Sequence, residues 1–196
     1  MDTSEKIKDL LALSMRRRRM IWRPYMEKYN CQIIAELGVS TGRNFHNMIA
    51  HLPKVAVAVD AWGRGEENLV SQNDCAFTQE EFNFQYETFK VEMDRFPFVQ
   101  IIREYTFDAA KRFPNDYFDF IYVDADHSYN GCMRDLVSWW PKLKSGATFA
   151  GDDYYPGIAK RTKVPFKVIE AVTDFAKAND VIHTEIPGNA WAIIKP

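Results

Sequence analysis

Five short, nearly unbroken apolar runs constrain this chain more than any other feature. They are Gln32–Leu37, Val55–Val59, Val99–Arg103, Phe118–Val123 and Ala147–Ala150. Four of them stop at a glycine or an aspartate: Gly38, Asp60, Asp124 and the Gly151-Asp152-Asp153 triplet. Strands that are apolar on both faces belong in parallel sheets covered on both sides. Helical periodicity fills the gaps, over Asn44–His51, Glu80–Arg95, Thr106–Arg112, Tyr129–Trp140 and Phe166–Ala178. This alternation predicts an α/β fold, an open and doubly wound sheet. The end of the chain breaks the pattern. Val181–Ile186 and Ala190–Lys195 flank Pro187-Gly188-Asn189, a hairpin signal, so the mostly parallel sheet should close with an antiparallel C-terminal hairpin.

Upstream, residues 4–22 read as one helix capped by Ser4, with Ile7, Leu10, Leu11 and Ser14 on one face. The run Arg16–Arg19 then reads either as a solvated helix end or as a contact for an anionic partner. No repeat or low-complexity stretch divides the chain. The expectation is one domain over 1–196, with a helical segment at 1–29 and a cofactor-binding and catalytic core at 30–196.

Composition excludes several classes. A hydrophobic fraction of 46% is enough for a core and excludes general disorder. With 25 basic and 27 acidic residues the net charge is −2, without the positive field that nucleic-acid binding needs. Cys31, Cys75 and Cys132 are too few and too scattered for a disulfide framework or a zinc site, which points to a reducing, cytoplasmic setting. The N-terminus lacks an apolar signal core, and no run approaches the roughly 18 apolar residues of a membrane span.

In open α/β sheets ligands bind beyond the carboxyl ends of the strands. Here the first strand runs into Glu36-Leu37-Gly38-Val39-Ser40-Thr41-Gly42. Gly38 permits a tight turn and Gly42 lets the next helix start close by. Ser40 stands where a dinucleotide fingerprint needs its middle glycine, which argues against NAD. Asp60 lies about 20 residues further on, at the end of the second strand, where a carboxylate can accept both ribose hydroxyls. Together they indicate an adenosine-type cofactor without a diphosphate.

Asp124 and His127 follow the fourth strand, and Asp152 and Asp153 follow the fifth. Neighbouring strands bring all four to one cleft. Three carboxylates that converge repel one another unless a cation lies between them. Oxygen ligands without cysteine point to Mg²⁺ or Mn²⁺. The blander alternative makes Asp152 a cap and Asp153 an exposed residue. Asp126 reads as a cap for the helix that starts near Ser128, and His46, His51 and His183 as ordinary core or surface residues.

The blocks ELGVSTG, VDAW, DFIYVDADHSYNGCMRDLVSWWPKLKSG and GDDY, in this order, resemble class I S-adenosylmethionine-dependent methyltransferases over residues 30–196. Within that group the chain is most similar to metal-dependent sugar O-methyltransferases of the macrocin and mycinamicin type. The resemblance implies a Rossmann-like sheet and S-adenosylmethionine as cofactor. It implies cofactor contacts from Glu36, Gly38, Ser40, Thr41 and Gly42, from Asp60, Ala61 and Trp62, and from Tyr105, Thr106 and Asp124. Asp124, Asp152 and Asp153 become the metal ligands. Asp124-Ala125-Asp126-His127 matches the D-x-x-H motif of those relatives, which makes Asp124 and His127 the catalytic pair, with His127 as base. The acidic pair is Asp-Asp where relatives can have Glu-Asp, which puts the first ligand's distance to the metal in question. His127 also reads as a residue of the helix start.

The acceptor expected from this resemblance is a sugar hydroxyl of a glycan or glycosylated small molecule. A glycosyltransferase domain, fused or associated, is a possible partner. Loops 61–79 and 154–165 read as lids, with Trp62, Tyr129, Tyr154 and Tyr155 either as sugar-stacking faces or as rings packed against the domain, and Arg64, Lys160 and Arg161 as anion contacts. Three rival readings are the same chemistry on a catechol-like diol, a nicotinamide-dependent oxidoreductase and a non-enzymatic scaffold.

Overall fold

The computed structural model describes residues 3–17, 21–63, 77–158, 163 and 165–196. Seven strands form one sheet: β1 (Ile33–Leu37), β2 (Val55–Asp60), β3 (Val99–Arg103), β4 (Phe118–Val123), β5 (Leu143–Gly151), β6 (His183–Ile186) and β7 (Ala190–Ile194). Their order is β3-β2-β1-β4-β5-β7-β6. The first five run parallel, and β7 is antiparallel to both β5 and β6. The doubly wound sheet with its reversed end is therefore as expected.

The helices are α1 (Thr3–Arg17), α2 (Trp22–Lys28), α3 (Arg43–Ile49), α4 (Gln79–Met93), α5 (Thr106–Ala109), α6 (Tyr129–Trp139) and α7 (Val168–Ala178). Successive strand residues point to opposite faces. On β1, Ile34 joins a core built with Trp22, Tyr25, Phe45 and Phe89, from α2, α3 and α4. Ala35 and Leu37 join the opposite core, with Ala109, Leu136, Trp139 and Phe175 from α5, α6 and α7. Two buried faces explain why the strand sequences show no polar alternation.

Three elements differ from the sequence reading by more than two residues at a boundary. The N-terminal helical stretch is two helices, and Trp22 opens the second. Arg18 and Arg19 lie outside the described residues, as do the side chains of Arg16 and Arg17. Strand β5 starts at Leu143 rather than Ala147. Phe118 pairs with Leu143 but Phe120 already pairs with Thr148. The extra residues Lys144-Ser145-Gly146 are accommodated by that register shift, with Gly146 at φ 75°. The helix expected over Thr106–Arg112 tightens into a 3₁₀ turn at Ala110–Arg112. Among the described residues no helix is long and apolar enough to cross a membrane.

Candidate active site

Backbone bonds continue past the strand ends and bring the sequence motifs to one edge. The Gly38 N–H donates to the Val59 carbonyl at 2.8 Å, the Asp124 N–H to Leu37 at 2.7 Å and the Asp152 N–H to Val123 at 3.1 Å. A cavity of about 1200 Å³ opens along this edge. That exceeds the ~300–1,000 Å³ of an ordinary small-molecule pocket, leaving room for two ligands side by side.

At the β1 end the backbone itself shapes the wall. Gly38 sits at φ 84°, and a Cβ there would overlap the Asp124 carbonyl oxygen, so only glycine fits. Asp60 clamps the turn that follows. Its Oδ2 accepts the Val39 and Ser40 N–H groups at 2.8 Å each, and its Oδ1 accepts the Trp62 N–H at 2.6 Å. Burial raises the Asp60 carboxyl above its ordinary range, and the three backbone donors oppose that rise. Glu36 is 1% exposed. Its Oε1 accepts from the Asn44 amide at 3.0 Å, while Oε2 is buried without a partner among the described residues. Burial first, then the charges of Asp124, Asp60 and Asp152, push its carboxyl well above the usual carboxylate range. A buried oxygen of this kind, in a residue that lines the cavity, is a place for a ligand N–H donor.

The acidic end is held by side chains. His127 Nε2 lies 3.1 Å from Asp124 Oδ1 and 3.1 Å from Asp153 Oδ2. Its ring packs 4.8 Å from Phe166, and its carbonyl accepts the Lys167 N–H at 2.8 Å. Asp124, His127 and Asp153 each offer a ligand atom, all within 4.8 Å of one another. The expected metal set was Asp124, Asp152 and Asp153. Among the described residues the group that converges has His127 in place of Asp152. Asp153 adopts φ 54°, while Asp152 Oδ1 accepts the Asp153 N–H at 2.9 Å. The Asp152 charge instead raises Glu36 and Tyr122. Asp126 accepts the Ser128 N–H at 2.8 Å, but the cap of α6 is Ser128 itself, whose hydroxyl accepts the Gly131 N–H at 3.1 Å.

Of the other expected cofactor residues, Ser40, Thr41, Ala61, Tyr105 and Thr106 line the cavity. Gly42 and Trp62 do not line it. Trp62 is fully buried, donates its indole N–H to the Ser40 carbonyl at 2.9 Å and packs on Tyr86 and Phe89. Gly42, at φ 78°, starts α3 where a Cβ would overlap the Phe89 ring, so it serves helix packing. The tyrosines expected to stack on a sugar are engaged elsewhere. Tyr154 is buried and hydrogen-bonds His183 at 2.8 Å, Tyr155 packs on Phe166, and Tyr129 donates to Asp174 at 3.0 Å. Arg64, Lys160 and Arg161 lie outside the described residues. So do residues 64–76 of the first expected lid and 159–162 and 164 of the second.

The sequence reading missed Trp22, Tyr122 and Asp135, which all line the cavity. Trp22 stands edge-on to Tyr122 at 5.2 Å. Helix α2 has only 7 residues, too few for periodicity to announce it. Asp135 did carry a signal: it shares the apolar face of α6 with Cys132, Leu136 and Trp139.

A parallel sheet with a reversed final strand, a glycine turn after β1 and acidic residues after β2, β4 and β5 is the class I S-adenosylmethionine-dependent methyltransferase architecture. A methyltransferase-domain family model matches residues 35–154, and the chain belongs to that family. No curated protein matches it significantly. Solved structures do. The O-methyltransferase NovP is 14% identical, with a TM-score of 0.61, and the match covers 90% of this chain and 77% of that one. An O-methyltransferase from Bacillus cereus in complex with SAH is 14% identical, with a TM-score of 0.57 and coverage of 100% and 92%. A SAM-dependent methyltransferase from Aquifex aeolicus is also 14% identical, with a TM-score of 0.57 and coverage of 98% and 97%. At these identities the likeness is one of fold.

Proposed function

We propose that the protein is an S-adenosylmethionine-dependent O-methyltransferase that uses a divalent cation, Mg²⁺ or Mn²⁺, and methylates a sugar hydroxyl of a glycan or glycosylated small molecule. The observation that supports this reading is one cavity with a glycine turn at one side and Asp124, His127 and Asp152 at the other, with Asp153 close to Asp124 and His127. The residues fit both absent groups. Gly38 leaves the backbone bare, Asp60 and Glu36 offer acceptor oxygens, and two carboxylates suit a hard cation.

When bound, the cofactor supplies an already electrophilic sulfonium methyl, and a divalent cation lowers the pKa of hydroxyls it touches. The chain's own residues do the rest. Asp60 and Glu36 fix the ribose and amino acid ends of the cofactor. Asp124 and Asp153 hold the cation. His127 takes the acceptor's proton at Nε2, for which the imidazole must be neutral, so activity falls on acidification. Trp22 and Tyr122 give the acceptor side an aromatic wall.

Labelled methyl transfer over monosaccharide, glycoside and catechol acceptors, with and without EDTA, tests the reading. Transfer to a glycoside that EDTA abolishes and Mg²⁺ or Mn²⁺ restores is the expected result. Transfer confined to catechols moves the acceptor class, and full turnover without metal removes the cation from the mechanism.

A further inference from the structure

Asp153 presents its carboxylate to His127 from a backbone that an L-residue adopts at a cost. Its φ of 54° lies in the left-handed region, and a non-glycine residue stays there only where its surroundings hold it. Two bonds shape the turn locally. Asp152 Oδ1 accepts the Asp153 N–H and the Tyr155 N–H donates to the Asp153 carbonyl, each at 2.9 Å. Neither fixes the turn against the sheet, but Tyr154 does. Its N–H donates at 2.8 Å to the Asn189 carbonyl, in the turn between β6 and β7. Its hydroxyl shares a hydrogen bond of 2.8 Å with His183 Nε2, on the outermost strand β6.

The ring between these two bonds reaches far. Tyr154 is 8% exposed and belongs to the core that holds Trp191 and Ile193 of β7. His183 pairs with Ile193, and Ile193 with Phe149, which precedes Gly151 at the end of β5. The Tyr154 side chain therefore folds back along the sheet face and ties the turn after β5 to a strand beyond β7. A buried phenol needs a partner for its hydroxyl, and His183 supplies it.

We propose that Tyr154, anchored by His183, positions Asp153 as a cation ligand. The anchor sets the turn so that Asp153 Oδ2 stands 3.1 Å from His127 Nε2 and within 4.8 Å of the ligand atom of Asp124. Mg²⁺ demands near-ideal octahedral geometry at about 2.0–2.1 Å, so a small drift of one carboxylate is felt as lost affinity. Neither Tyr154 nor His183 lines the cavity, so both are positioning residues and not ligands. The inference rests on the reading that Asp124 and Asp153 hold a divalent cation.

The test is Mn²⁺ binding to the full chain, followed by electron paramagnetic resonance, with S-adenosylhomocysteine affinity measured beside it. Tyr154→Phe keeps the ring and removes the hydroxyl. It should weaken Mn²⁺ binding by about 10-fold, at the low end of what outer partners of metal ligands contribute, while S-adenosylhomocysteine affinity changes by less than about threefold. His183→Ala should give a similar loss, and His183→Gln, whose amide can still meet the hydroxyl, should recover most of it. The double variant Tyr154→Phe with His183→Ala should lose little more than either alone, because both remove one bond. The two His183 variants decide the matter if Tyr154→Phe does not fold. Unchanged Mn²⁺ affinity in Tyr154→Phe or His183→Ala, no recovery in His183→Gln, or equal losses of Mn²⁺ and S-adenosylhomocysteine overturns the proposal. A wild type that binds no Mn²⁺ overturns the cation reading itself and this inference with it.

Discussion

The two sides of the cavity are built by different means. On the β1 side the wall is main chain: Gly38 at a positive φ, and an Asp60 carboxylate spending three acceptor sites on the N–H groups of Val39, Ser40 and Trp62. On the β4–β5 side the wall is side chain: two aspartates face one imidazole, each 3.1 Å away. A surface made of backbone is finished once the strands pair. One made of like charges is finished only when a cation or proton arrives. The first side is therefore a rigid receptor, and the second depends on what fills it.

Metal removal should separate the two sides most sharply. EDTA should cut turnover by about 10³-fold or more while S-adenosylhomocysteine affinity changes by less than about threefold. Methyl-transfer assays beside calorimetry would show it, and parallel losses would mean that the sides are not independent. His127→Ala comes next, with a turnover loss of about 10²–10⁴-fold and unchanged metal affinity. A loss of metal binding in that variant would make His127 a ligand rather than the base.

On the backbone side Gly38→Ala should abolish S-adenosylhomocysteine binding and lower stability by roughly 2–4 kcal/mol, because the added Cβ meets the Asp124 carbonyl at a positive φ. Denaturant titration checks the stability, and a well-folded variant that binds normally would deny the tight turn its role. Asp60→Asn should weaken binding by about 10-fold, within the range expected for a charge-assisted bond. It should also speed hydrogen exchange at the Val39 and Ser40 amides, which a residue that touches only ribose would not do.

The smallest effect concerns Asp135. Burial raises its carboxyl to about 7 from 3.8. Between those values the folded chain holds a proton that the unfolded chain has lost, so this residue makes stability fall as pH rises and then level off above about 7. Urea midpoints from pH 4 to 8 should show a shallower decline in Asp135→Asn than in the wild type.

The strands and the reversed end were legible because apolar runs and a Pro-Gly-Asn turn act locally. The first half of β5 was not, because Lys144-Ser145-Gly146 enter the sheet through a register shift that only the partner strands dictate. Gly38, Asp60 and Asp124 could be placed from spacing alone, since strand ends align in a parallel sheet. Trp62 could not: its position beside Asp60 is compatible with facing the cavity or the core, and the positive φ of 41° turns it inward. The same holds for Asp152 and Asp153, neighbours in sequence whose backbone angles send them different ways. Asp135 is the opposite case: a charge on the apolar face of α6 is visible in the sequence as an anomaly.

The contact between Gly38 and the Asp124 carbonyl has one more consequence. It is the seam where the main-chain receptor meets the acidic wall, and it is as narrow as a missing methyl group. On the proposed reading, the separation between methyl donor and acceptor base is set by the spacing of adjacent strands, a dimension that cannot stretch without unmaking the sheet. Loops beyond the strands can be lengthened, swapped or recharged to admit new acceptors. Each new acceptor must still bring its reacting atom to the same point above the β1–β4 boundary.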